Sequence, residues 1–171
     1  MTDLIILATL LPGPKHGYQL KHEAGLILGQ GVLHDNLVYP LLRRFTEHKW
    51  VTRKKVPGER GQTRLEYSLT PLGRKELLSR LSSFSEQDAG SSDAFRLRVG
   101  LFRLLELDAR KRILTARENF LRSQTEKMSS IRKSFELDDY PLEVTSQYLA
   151  EVKLELAWIA RLRKLANTSS D

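Results

Sequence analysis

Residues 33–69, LHDNLVYPLLRRFTEHKWVTRKKVPGERGQTRLEYSL, decide the reading of this chain. They open with a helix start, in which Asp35 or Asn36 offers a side-chain oxygen to the orphan backbone N–H groups of the first turn. At about 100° per residue, Leu37, Val38, Leu41, Leu42 and Phe45 share one broad arc, the expected core face. The opposite arc carries Asn36, Tyr39, Pro40, Arg43 and Glu47 with Arg44 on its flank, and the aromatic among them marks a contact surface. After His48 the period drops from helical to alternating. Two extended runs, Trp50 to Val56 and Thr63 to Leu69, flank a connection holding Gly58 and Gly61, with Leu65, Tyr67 and Leu69 facing inward. A helix followed at once by such a ribbon is the wing half of a winged helix-turn-helix.

Charge singles out the same stretch. Residues 1–83 hold 13 Lys+Arg against 7 Asp+Glu, whereas residues 84–171 hold 15 against 14. Arg43, Arg44, Lys49, Arg53, Lys54, Lys55, Arg60 and Arg64 cluster on the helix and ribbon, the electrostatic footprint of a polyanionic partner. With no cysteine in the chain, a disulfide framework, a thiolate metal site and a cysteine nucleophile are all excluded. The four histidines, His16, His22, His34 and His48, show no metal-ligand spacing. No metal, no cofactor and no enzymatic activity are therefore expected, since no catalytic constellation can be picked out. The apolar run that opens the chain ends at Leu11, too short for a membrane span, so a soluble cytoplasmic protein is expected.

Before the organising stretch, Leu4 to Leu11 reads as a short apolar helix closed by Pro12-Gly13-Pro14. A second helix follows to about Leu28, with Leu20, Ala24, Ile27 and Leu28 at core spacing and Gly29-Gln30-Gly31 as its stop. After the ribbon, Thr70 caps a helix with Pro71 at its first position and Leu72, Leu77, Leu78 and Leu81 as its stripe. Ser82 to Ser92 is a polar, serine-rich connection and the expected domain boundary. Beyond it come an apolar helix around Phe95 to Leu105, a long one capped by Asp108 and running to about Ser134, and a last one from Leu142 to about Ala166. Glu136 to Pro141 break the last two apart. Leu149, Val152, Leu156 and Ile159 recur there at coiled-coil-like spacing.

Three motifs carry a family resemblance. Pro14-Lys15-His16-Gly17-Tyr18-Gln19-Leu20, Val38-Tyr39-Pro40-Leu41-Leu42-Arg43-Arg44 and Tyr67-Ser68-Leu69-Thr70-Pro71-Leu72-Gly73 resemble, in order and spacing, the motifs of PadR-type transcriptional regulators. Two departures are Lys49, where these proteins usually place glycine, and Asp35-Asn36-Leu37, where Ser, Gly and Thr types are common. Neither is expected to alter the fold. The fold class expected is mainly α with a small β-hairpin wing: a winged helix-turn-helix domain over residues 1–83 and a C-terminal α-helical dimerisation domain over residues 92–167.

The function expected is that of a sequence-specific regulator binding a double-stranded DNA operator. The DNA-binding candidates are Asn36, Tyr39, Arg43, Arg44 and Tyr18 in the helical body and Lys54, Arg60, Gln62 and Arg64 in the wing, with Arg43 placed to read a guanine edge. The apolar surplus of the C-terminal helices argues for a homodimer through Leu149, Val152, Leu156, Ile159, Phe95 and Phe102. The resemblance further implies a repressor relieved by a small aromatic effector. Trp158 and Tyr148 either line its pocket or belong to the interface core. The alternative is a winged-helix module whose basic face docks an acidic protein.

Overall fold

The computed structural model describes residues 1–29, 31–58, 62–134 and 138–168. Two units, Met1–Leu81 and Ser82–Asp171, each build their own core.

In the first unit, α1 (Thr2–Thr9), α2 (Gly17–Leu28) and α3 (Asp35–Glu47) bury Ile5, Ile6, Leu7, Leu20, Val38, Leu42 and Phe45. Gly29, at φ 67°, closes α2 in the left-handed conformation that glycine adopts without penalty. Pro40 lies inside α3 without ending it. The helix cap is His34, one residue ahead of the expected pair, and Asp35 is already helical. Its carboxylate pairs instead with Lys21 of α2, and that hydrogen bond raises the lysine above its ordinary value. Leu37 is a second correction: it is 41% exposed, because no element covers that edge of the arc. Ile27 and Leu72, also expected at core positions, are likewise exposed.

α3 ends in a Schellman motif. Lys49 N–H donates to the Thr46 carbonyl and Trp50 N–H to that of Phe45, while the Trp50 and Phe45 rings lie 5.8 Å apart. Lys49 itself sits at φ 59°, in the left-handed region, and the expected fold is kept around it. A side chain there costs about 1 kcal/mol or more that glycine would not incur.

Strands β2 (Val51–Pro57) and β3 (Thr63–Leu69) pair antiparallel from Val51↔Leu69 to Pro57↔Thr63. The sheet has a third strand that periodicity cannot reveal because it is two residues long: β1 (Lys15–His16) pairs with the other edge of β3, giving the order β1-β3-β2. Thr70 caps α4 (Pro71–Ser82) as expected, its Oγ1 accepting from Gly73 N–H at 2.9 Å.

The second unit is helical. The serine-rich stretch is not a bare linker: Ser85 and Asp88 form a capping box on α5 (Glu86–Gly90), and Ser91 caps α6 (Ser92–Gly100). α6 stops at Gly100 and a 3-10 turn, Phe102–Leu104, follows, so the apolar run to Leu105 is not one helix. The paired helices α7 (Leu107–Ser134) and α8 (Asp139–Thr168) complete the unit. α7 begins at Leu107, so Asp108 lies in its first turn and does not cap it. α8 starts earlier than expected and holds Pro141 in its first turn, where a missing N–H breaks no helical bond. Glu136 and Leu137, part of the expected break, lie outside the described residues. Phe95, Ile113, Leu114, Leu121, Val152 and Ile159 form the core.

Candidate nucleic-acid interface

The exposed arc of α3 is as the sequence implies: Asn36, Tyr39, Arg43, Arg44 and Glu47 are all exposed. Arg43 has a side chain 77% exposed, and its Nε is 4.0 Å from Glu47, a separation that leaves the guanidinium available to a partner. Tyr39 lies across the start of α2. A Cβ at Gly17 would come within 2.8 Å of the Tyr39 hydroxyl, so the glycine of one motif makes room for the tyrosine of another. Tyr18 is 67% exposed beside it, stacked on His22.

Arg44 has a side chain 48% exposed, with its Nη2 3.9 Å from an Asp3 oxygen that accepts a hydrogen bond from Arg80 at 2.6 Å. Burial opposes ionisation of Asp3, but the N-terminal ammonium, the Leu4 N–H and Arg80 outweigh it and hold the carboxyl below its ordinary value. Arg80 also covers the Trp50 ring at 4.8 Å, so this group joins α1, α3, α4 and the start of β2.

The register of the sheet assigns its cations to faces. Directly opposed residues of an antiparallel pair share a face, and successive residues alternate. Arg53↔Tyr67 and Lys55↔Leu65 therefore lie on one face, Lys54↔Glu66 and Val56↔Arg64 on the other. The first face looks toward α3, where Tyr39, Arg43, Thr46, Arg53, Leu65 and Tyr67 wall a cavity of about 550 Å³. Burial raises the Tyr67 phenol, while Arg53 beside it pulls the other way. Leu65, expected to face inward, is at the open end of this cavity and 36% exposed. Two of the expected wing contacts, Lys54 and Arg64, are thus on the face away from α3, while Arg53 and Lys55, placed in the basic cluster but not among the DNA-binding candidates, are on the near one. Gln62 is exposed, and Arg60 lies outside the described residues.

The residues expected to dimerise are largely used within the chain. Phe95 is 0%, Ile159 1% and Val152 4% exposed, while Leu149, Leu156 and Phe102 are half-buried. What α8 leaves open is another stripe: Tyr140, Val144, Leu154 and Leu165. Trp158 meets Phe95 edge-on at 5.5 Å, and Tyr148 is half-buried. A cavity of about 730 Å³ lies instead between α5 and α7, walled by Phe84, Ser85, Gln87, Asn119, Phe120 and Lys127, and neither Trp158 nor Tyr148 is on its wall. Sequence reasoning also missed Arg117, 3% exposed, which donates to both oxygens of Glu155 at 2.8 Å and to Ser92 Oγ at 2.7 Å.

Among the described residues no group of three or more His, Cys, Asp or Glu side chains could hold a metal ion, and no helix is long and apolar enough to cross a membrane.

Residues 6–79 match the Transcriptional regulator PadR-like family. Among solved structures, the chain is similar to Bacillus subtilis PadR in complex with operator DNA, at 18% identity over 96% of this chain and 98% of that one, with a TM-score of 0.47. It is also similar to a transcriptional regulator described as putative from Thermoplasma acidophilum, at 26% identity over 60% of this chain and 86% of that one, TM-score 0.44. A PadR family transcription regulator from Clostridium difficile matches at 21% identity over 46% of this chain and 81% of that one, TM-score 0.39. No curated protein matches the chain. The match covers the winged helix-turn-helix, with its motifs in order, and it is this part of the chain that is similar to the transcriptional regulator PadR-like family.

Proposed function

We propose that this protein is a cytoplasmic, homodimeric transcriptional regulator that binds a double-stranded DNA operator, represses by occupying it, and carries out no catalysis of its own. One observation carries the reading: α3 presents Asn36, Tyr39 and Arg43 outward beside a sheet that carries Arg53, Lys54, Lys55 and Arg64. In the major groove, the Arg43 guanidinium suits the paired acceptors of a guanine edge, and Asn36 suits an adenine or a phosphate. Arg44 and Tyr18 reach the flanking backbone, which positions without specifying sequence.

The exposed stripe of α8 supports the dimer, because a row of large apolar side chains left in water favours a second copy. The α5–α7 cavity supports an aromatic effector that weakens binding by preferring one of two dimer states.

A footprint of the purified chain on the DNA immediately upstream of its own coding sequence tests the reading. Two protected half-sites about one helical turn or a multiple apart are expected. Binding that bulk competitor DNA removes as readily as labelled probe would contradict sequence-specific recognition, and capture of an acidic protein alone would favour the docking module instead.

A further inference from the structure

We propose that the sheet meets the DNA backbone through Arg53 and Lys55, on the face turned to α3, with the α3–sheet cavity as the seat of the phosphates that border the occupied groove. The proposal rests on the DNA-binding reading above and adds which cations of the ribbon make the contact.

Alternation forces a choice between two sets. Side chains on opposite faces of a sheet diverge, so one line of phosphates cannot be followed from both. The set including Lys54 and Arg64 is remote from the exposed arc of α3, whereas Arg53 shares a cavity wall with Tyr39 and Arg43 of that arc. A strand of DNA beside Arg43 therefore passes Arg53 without a change of direction.

The two faces also differ in charge. Lys54 stands directly opposite Glu66, and His16 of β1 pairs with the same glutamate, so a carboxylate sits in the middle of the far face. On the near face β2 and β3 contribute Arg53 and Lys55 against Leu65, Tyr67 and Leu69, with no acidic side chain. Glu47 is the one carboxylate on the cavity wall, and Arg43 stands 4.0 Å from it. Tyr39 adds a hydroxyl to that wall, the donor type that accompanies guanidinium groups on phosphate oxygens. By charge, the near face is the phosphate-binding one.

Fluorescence anisotropy of the full chain on a labelled duplex of about four helical turns from its own upstream DNA, stepped from about 50 to 200 mM salt, tests this. Arg53→Ala, Lys55→Ala, Lys54→Ala and the charge-preserving Arg53→Lys are compared, with thermal unfolding confirming that each is folded. Arg53→Ala is expected to weaken binding about tenfold and to flatten the log–log salt slope by about 0.9 for each protomer engaged, with Arg53→Lys restoring the slope. Lys55→Ala is expected to follow Arg53→Ala, and Lys54→Ala to lose less than half as much in logarithmic units. If the wild type binds and Lys54→Ala loses as much as Arg53→Ala, or if Arg53→Ala leaves the slope intact, this assignment is overturned while the DNA-binding reading stands. A wild type that does not bind the duplex at all overturns both.

Discussion

Replacing Gly73 by alanine is expected to destabilise the N-terminal unit by about 3 kcal/mol or more, at the upper end of what overpacking does. The methyl group would overlap the carbonyl oxygen of Trp50 and come within 2.9 Å of Leu69 Cδ1. Neither side can yield, because the same carbonyl accepts from Thr70 N–H at 2.9 Å and from Thr70 Oγ1 at 3.0 Å, while Thr70 Oγ1 caps α4 through Gly73 N–H. The helix therefore lies on the start of β2 with room for a hydrogen and nothing larger. Urea denaturation measures the loss. Gly100→Ala is the control, since nothing lies within 4 Å of a Cβ built there, and should shift stability by less than about 0.5 kcal/mol. A Gly73→Ala midpoint as close to wild type as that control would refute the packing described.

The second large effect is expected in the C-terminal unit, at Arg117. Its guanidinium joins four helices: Nη1 donates to the Ala89 carbonyl of α5, Nη2 to Ser92 of α6, and Nε and Nη2 to Glu155 of α8. The rings of Phe95 and Phe120 lie 5.9 and 5.6 Å from it. Arg117→Ala leaves the Glu155 carboxylate, 14% exposed, without its counter-charge and should cost about 3–5 kcal/mol. The double variant Arg117→Met with Glu155→Leu removes both charges and fills the space, so it should recover most of that loss. A double variant no more stable than the single one would show that the ion pair is not what makes the single substitution costly.

Which parts of this were readable in advance follows from the kind of signal each residue leaves. Period and cap residues report local conformation, and they located α3, the two long strands, the Thr70 cap and the exposed arc with Arg43. They do not report which neighbour covers a given edge. Leu37, Ile27 and Leu72 carry apolar side chains at core spacing yet are exposed. The same blindness placed Val152 and Ile159 at a subunit contact when helices of their own chain bury them. Arg117 left no signal, since a buried arginine looks like a surface one until its carboxylate, 38 positions away, is known to face it. Some signals were present and underused. Ser85 and Asp88 at capping-box spacing marked α5, and the glycine usual at Lys49 in relatives pointed to a left-handed residue there. Which wing cations share a face with α3 was not among them, because Val51 and Val56 have opposite parity and only the burial of Val51 decides between them.

The central claim is that cations held on α3 and the near face of its sheet, in duplicate, meet the phosphates of one duplex. Its most direct test is the salt dependence of the wild-type affinity for the upstream duplex, measured by anisotropy. With four or five basic groups engaged per protomer, a dimer neutralises about 8 to 10 phosphates, and affinity should fall by roughly three to five decades between 50 and 200 mM salt. A log–log slope shallower than about −3 would contradict it, because so few released counterions leave no place for two such surfaces on the same DNA.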